Sequence, residues 1–215
     1  MVREHERKGI ITVTDKNAFP LDSCLIQDCY RDKVQSILVT NGTILDRVSK
    51  LARDIAADYQ GEIIHLLCVL KGAHQFFSEL VRELELLGVP ICYDFVKAKS
   101  YDGTASSGKV HIEGCDPKSL KGQNVILVED LIDTGNTMQA LLPYLESFGV
   151  KSVSCCCLCE KDTPLSCGFK ANYCGFIIPN YFIVGFGLDY NQAMRDIRHI
   201  CIINQHGIEY YKDNE

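Results

Sequence analysis

The chain has 215 residues, 47% of them hydrophobic and 23% charged, which is globular composition and enough length for one α/β domain with or without a small appendage. Its formal net charge of −6 argues against nucleic acid or an anionic membrane as a partner, because both reward basic surface. A polyanionic ligand would have to be held locally, by helix N-termini, a few lysines and arginines, and a divalent cation. In chain order, Asn41 and Gly42 open a helix over residues 41–59, with Ile44, Val48, Leu51 and Ile55 at a period near 3.6. Residues 63–70 read as a central strand, and Phe76, Phe77, Leu80, Val81 and Leu84 resume helical spacing until Gly88 and Pro90. Residues 91–96 form another strand, 98–109 are polar and Gly-rich enough for a mobile loop, and 110–112 return to an extended pattern.

The run from Val125 to Thr137 carries the most information. Four apolar residues, Val125 to Val128, fit a strand buried on both faces, followed by the carboxylates Glu129 and Asp130, a small-residue turn and a helix over residues 138–148. Thr134, Gly135, Asn136 and Thr137 can aim N–H groups and hydroxyls at one phosphate on the positive end of that helix. Glu129 and Asp130 would repel an anion but accept hydrogen bonds from vicinal hydroxyls, so the pair suits a ribose whose 5-phosphate fills the turn.

Residues 153–158 read as a buried strand in which Cys155, Cys156 and Cys157, with Cys159 beside it, behave as small hydrophobes. After Lys161 come short pieces, 173–177, 181–186 and 199–203, separated by Pro164, Pro179 and Asn180. The alternation predicts a mainly parallel, twisted α/β sheet flanked by helices, with right-handed crossovers. Residues 38–165 form the core, and 9–37 with 166–215 form a small hood over the sheet edge. The charged start, residues 1–8, lacks the apolar core of a signal peptide, and no apolar run is long enough to span a bilayer, so a cytosolic location is expected. In that reducing setting the twelve cysteines do not form a disulfide framework, and no paired C-x-x-C spacing points to zinc.

The run from Val125 to Thr137 resembles the phosphoribosyl-pyrophosphate signature of type I phosphoribosyltransferases. Leu70-Lys71-Gly72-Ala73 resembles the pyrophosphate loop of the hypoxanthine-guanine members, where the Leu-Lys peptide can be cis. Ser100 and Tyr101 resemble the flexible loop that closes over the site. The segments Lys161, Tyr181 to Val184, Leu188 to Asn191, and Arg195-Asp196 match the purine-binding half.

The resemblance implies a purine salvage enzyme that joins hypoxanthine or guanine to phosphoribosyl pyrophosphate, giving IMP or GMP and pyrophosphate. Mg2+ is the implied cofactor, and a homodimer or homotetramer the implied assembly. It implies Asp133 as general base and, with Thr134 to Thr137, as part of the phosphate site, and it implies a purine site of Lys161 as donor to the 6-oxo group, Phe182 as stacking partner, Ile183 as backbone reader of the base edge, and Asp189. Lys71, Gly72 and Arg195 would meet the pyrophosphate. Asp189, Glu129 and Asp130 would face the magnesium. Asn136, Lys97, Leu165, Ala73 and Ile183 depart from residues common in relatives. Two alternatives remain open: a preference for xanthine or adenine, and a catalytically weak nucleotide sensor of the same fold.

Overall fold

In the computed structural model of the chain, Arg7 and residues 9–100 and 110–213 are described. The elements are β1 (Ile11–Thr12), β2 (Val34–Val39), α1 (Asn41–Asp58), β3 (Ile64–Val69), α2 (His74–Leu86), β4 (Ile91–Ser100), β5 (Val110–Glu113), β6 (Asn124–Ile132), α3 (Asn136–Glu146), β7 (Ser152–Asp162), β8 (Tyr173–Pro179), β9 (Ile183–Val184), β10 (Ile200–Ile203) and α4 (Gln205–Tyr210). The apolar runs become a seven-stranded sheet in the order β1-β8-β7-β6-β3-β4-β5, parallel except where β5 runs back along β4.

Burial of the sheet on both faces explains its continuous hydrophobicity. Ile64, Leu66 and Cys68 of β3 pack with α1 and α2, whereas Leu67 and Val69 point into a second cluster built on α3. The two-residue alternation of a strand thus feeds both layers. The stripe on α1 is Ile44, Val48, Leu51, Ala52 and Ile55, and the Thr40 hydroxyl caps its start by accepting from the Thr43 N–H. Cys155, Cys156, Cys157 and Cys159 are fully buried within β7.

A charged residue of α1 sits inside this packing. Arg47 of α1 is buried, and its guanidinium donates to the carbonyls of Gly175 (3.1 Å) and Cys174 (2.8 Å) on β8. Burial lowers its pKa, while the two carbonyls accept its N–H groups and tie helix to sheet edge.

A second, antiparallel sheet, β2-β10-β9, encloses Val34, Ile37, Val184, Met194, Ile197, Cys201 and Ile203. It joins the main body where the Asn41 N–H donates to His199 Nδ1 at 2.9 Å.

Several boundaries differ from the sequence expectation. The stretch 166–215 assigned to the hood contains β8, which belongs to the large sheet between β7 and β1. Residues 11–12 also pair with β8 rather than with the hood. The strand expected at 91–96 continues to Ser100, because pairing with β5 from Lys97 to Ser100 extends it into a hairpin arm. Tyr101 and the rest of 101–109 lie outside the described residues. Within 181–186 the strand is limited to Ile183–Val184, since Gly185 (φ 91°) and Phe186 (φ 51°) turn the chain away.

Replacing Arg47 with methionine keeps the apolar stem but leaves two carbonyls short of a donor. Urea unfolding of Arg47→Met is expected to show a loss of about 3 kcal/mol with an unchanged denaturant slope.

Candidate functional site

The site lies at the C-terminal ends of β3, β6 and β7, where ligands of open α/β sheets bind. Two adjoining cavities occupy it. The first, about 220 Å³, is lined by Val69, Ala98, Glu129 and the turn from Leu131 to Gly135 with Thr137 and Met138. The second, about 320 Å³, is lined by Asp130, Leu131, Asp133, Lys161, Phe182, Ile183, Leu188 and Asp189. Leu131 and Asp133 wall both, while Glu129 faces the first and Asp130 the second.

The turn is tighter than expected from sequence. Gly135 is left-handed (φ 85°) and caps α3, so the helix begins at Asn136 rather than at 138. Asn136, Thr137 and Met138 are therefore the first helical residues, whose N–H groups have no carbonyl partner within the helix. A Cβ on Gly135 would lie 2.8 Å from Phe169 Cβ, so no larger residue fits. The Thr134 carbonyl accepts from the Cys167 N–H at 2.8 Å, anchoring the turn from behind.

The acidic pair still belongs to β6 and does not head the turn. Asp130 accepts from the Leu131 N–H at 2.9 Å, and Glu129 from the Asp130 N–H at 3.2 Å. Burial, together with repulsion from Asp130, raises the Glu129 pKa well above the carboxylate range. Burial also raises that of Asp130, offset by its hydrogen bonds and the nearby Arg195 charge. The two titrate as a pair that resists carrying two negative charges. Beneath them, burial and both carboxylates push the Cys68 thiol up to about 12, which keeps it out of thiolate chemistry near neutrality.

Three segments meet above this pair with almost no side-chain volume between them. The Leu70–Lys71 peptide is cis. A Cβ on Gly72 would fall 1.7 Å from Asp130 Oδ2, and one on Gly187 would fall 2.2 Å from the Gly72 carbonyl oxygen. The chain from Phe186 to Arg195 makes this approach through a contorted turn in which Phe186, Asn191, Gln192 and Met194 all have positive φ. Arg195 stabilises it by donating to the Gly187 carbonyl (2.8 Å) and pairing with Asp189 Oδ1 (2.7 Å), while the Gln192 N–H donates to Asp189 Oδ2 (2.8 Å).

The sequence candidates are brought together, with their polar atoms already engaged. Lys161 and Asp133 form an ion pair at 2.9 Å, the lysine nearly buried and the aspartate half exposed. Lys71 donates to Gln192 Oε1 at 3.0 Å. Phe182 is exposed at the mouth of the larger cavity, edge-on to Tyr190 at 5.1 Å. Ser100 ends β4, and Tyr101 lies outside the described residues.

Sequence reasoning missed Gln192 and Gly187, and it held Leu131 and Leu188 only as members of matching segments, without a role. Gly185 and Gly187 flanking Phe186 were a visible sign of close backbone approach, but nothing local says which segment approaches. Metal and phosphate chemistry is open to this set. Carboxylate oxygens of Glu129, Asp130 and Asp189 suit a hard divalent cation, and the start of α3 suits a phosphate.

The raised pKa of Glu129 means that the folded state disfavours the ionised form. Stability should therefore fall as pH rises above the usual carboxylate range. Glu129→Gln is expected to raise the Tm of ligand-free protein by about 2–4 °C at pH 8, with the gain vanishing towards pH 4.5 in scanning calorimetry.

Comparison with known proteins agrees with this architecture. The model of the phosphoribosyl transferase domain matches residues 34–191. A hypoxanthine-guanine-xanthine phosphoribosyltransferase of Plasmodium falciparum is 40% identical over 211 residues, covering 94% of this chain and 91% of that protein. The human hypoxanthine-guanine phosphoribosyltransferase is 38% identical over 211 residues, covering 95% of this chain and 97% of that protein. A crystal structure of hypoxanthine-guanine phosphoribosyltransferase from Schistosoma mansoni, in complex with IMP, superposes with a TM-score of 0.79 at 32% identity over 94% of this chain and 99% of that one. With the domain model matched over residues 34–191 and relatives of this identity aligned over nearly their full length, the chain belongs to the phosphoribosyl transferase family.

Proposed function

We propose that this enzyme transfers the 5-phosphoribosyl group of phosphoribosyl pyrophosphate to hypoxanthine or guanine, giving IMP or GMP and pyrophosphate. The observation that carries the reading is the shared wall at Asp133 between two cavities of different chemistry. One is edged by the amide-rich start of α3, the other by an aromatic ring and a lysine. A nucleotide needs that juxtaposition: 5-phosphate on one side, purine on the other, ribose between.

Glu129 and Asp130, one per cavity, accept from the ribose hydroxyls, and Thr134 to Thr137 hold the 5-phosphate. Phe182 stacks on the purine, and Ile183 reads its edge through backbone groups. Lys161 donates to the 6-oxo oxygen while Asp133 accepts the N7 proton. These two purine atoms are neighbours on one edge, which matches the 2.9 Å spacing of the Lys161–Asp133 pair. In the reaction N9 bonds to ribose C1, the C1–O bond to pyrophosphate breaks with its electron pair leaving on oxygen, and the N7 proton passes to Asp133. Lys71 and Arg195 would exchange their present partners for pyrophosphate oxygens, and the Gly72 amide would donate to another.

Mg2+ fits the donor set. Two carboxylates that resist joint ionisation in a desolvated niche gain from a divalent cation, and Asp189 retains lone pairs beyond its bonds to Arg195 and Gln192. When bound, the ion offsets negative charge on the leaving pyrophosphate.

A cationic donor at Lys161 favours 6-oxopurines, since adenine offers a donor there and would leave the ammonium unpaired. Xanthine shares the 6-oxo group, and the Plasmodium falciparum relative carries it in its name. The direct test is nucleotide formation from phosphoribosyl pyrophosphate and Mg2+ with each base supplied separately. Turnover with hypoxanthine and guanine and none with adenine is expected. Adenine use would overturn the Lys161 assignment, and GMP binding without turnover on any base would favour a nucleotide sensor. Asp133→Asn should lower kcat at least about a hundredfold while GMP affinity changes by no more than about threefold. Unchanged turnover would remove Asp133 as the base.

A further inference from the structure

His65, Asp94 and Cys115 are far apart in sequence and belong to none of the chemistry above. In the fold they converge beside the adjacent strands β3 and β4. His65 Nε2 lies 2.9 Å from Asp94 Oδ2, and the Cys115 thiol donates to the same oxygen at 3.4 Å. One nitrogen, one oxygen and one sulfur thus lie within 4.8 Å of one another. We propose that these three side chains form a binding site for a borderline-soft divalent cation of the zinc type, separate from the magnesium-linked carboxylates of the substrate cleft.

Geometry and donor chemistry carry the argument. Tetrahedral zinc with bonds of about 2.0–2.3 Å needs donor atoms about 3.3–3.7 Å apart. The sulfur–oxygen distance already meets this, and the nitrogen–oxygen distance requires an opening of a few tenths of an ångström. An imidazole, a carboxylate and a thiol select zinc or cobalt over magnesium, which prefers all-oxygen octahedra.

The ligands are also held in place. His65 is nearly buried on β3, a central strand, and Asp94 lies on the neighbouring strand, β4. Cys115 is pinned on both sides. Gly114 before it (φ 104°) packs so tightly that a Cβ would lie 2.4 Å from the Phe95 carbonyl oxygen. Asp116 after it caps the 3-10 turn Pro117–Leu120 by accepting from the Lys118 N–H, and Leu120 is buried. The outer side stays open: Asp94 is 39% exposed and Cys115 half-buried, leaving an entry path and a fourth position for water. Binding would displace the thiol proton to solvent.

The other three-ligand cluster among the described residues, Cys157, Glu160 and Cys174, is fully buried, and Glu160 is committed to Arg7 and the Ala171 N–H. It offers no comparable access.

The test is titration of the full, freshly reduced chain with Co2+ and with Zn2+ in the presence of Mg2+. One cobalt per chain is expected, with a thiolate-to-cobalt charge-transfer band and the visible bands of tetrahedral cobalt. Cys115→Ser should abolish the charge-transfer band and weaken Zn2+ binding about tenfold or more. Asp94→Asn, at a solvent-facing carboxylate, should weaken it similarly while the unliganded protein keeps its fold by circular dichroism. Absence of the band in the wild type, or wild-type Zn2+ affinity in either variant, would overturn the site.

Discussion

The candidate site depends on a place where two glycines let three chain segments pack against one another. Gly72 leaves room for the Asp130 carboxylate, with a Cβ there only 1.7 Å from Oδ2, and Gly187 in turn presses on the Gly72 carbonyl. The start of α2, the end of β6 and the turn from Phe186 to Arg195 are thereby locked in mutual register. On the far side, Gly135 lets α3 begin against Phe169. Backbone amides thus reach positions that side chains would otherwise fill, which is what binding a compact, highly charged ligand requires.

That packing forces an electrostatic tension. A chain of net charge −6 sets two adjacent, half-buried carboxylates where it must also admit a polyanion. The cations around the cleft are held by internal partners: Lys161 by Asp133, Arg195 by Asp189 and the Gly187 carbonyl, and Lys71 by Gln192. Ligand binding is then an exchange of hydrogen-bond partners rather than the ordering of free side chains, which limits its entropic penalty. The electrostatic cost falls on Glu129 and Asp130, so compensating positive charge would favour their ionised forms.

Much of this was legible in local patterns. The apolar stripe of α1, the continuous hydrophobicity of β3, β6 and β7, and the Val125 to Thr137 run with its phosphate-turn grammar all depend on residues within a few positions of one another. Where local pattern failed, a distant partner decided. β4 runs to Ser100 because β5 pairs with it, β8 enters the large sheet because β7 and β1 flank it, and the acidic pair stays in β6 because β7 continues beside it. Helix α3 starts earlier than its apolar spacing suggested because a left-handed glycine, rather than a hydrophobic residue, sets its beginning.

Element types, the family resemblance and the set of chemically competent side chains follow from residue order alone, since periodicity and residue chemistry are properties of short segments. The joining of two cavities at Asp133, the pairing of Asp189 with Arg195, the upward pKa shift of Glu129 and Asp130 and the meeting of His65, Asp94 and Cys115 came from the packing of remote segments. Those depend on distance and desolvation, and both arise only when remote strands are laid side by side.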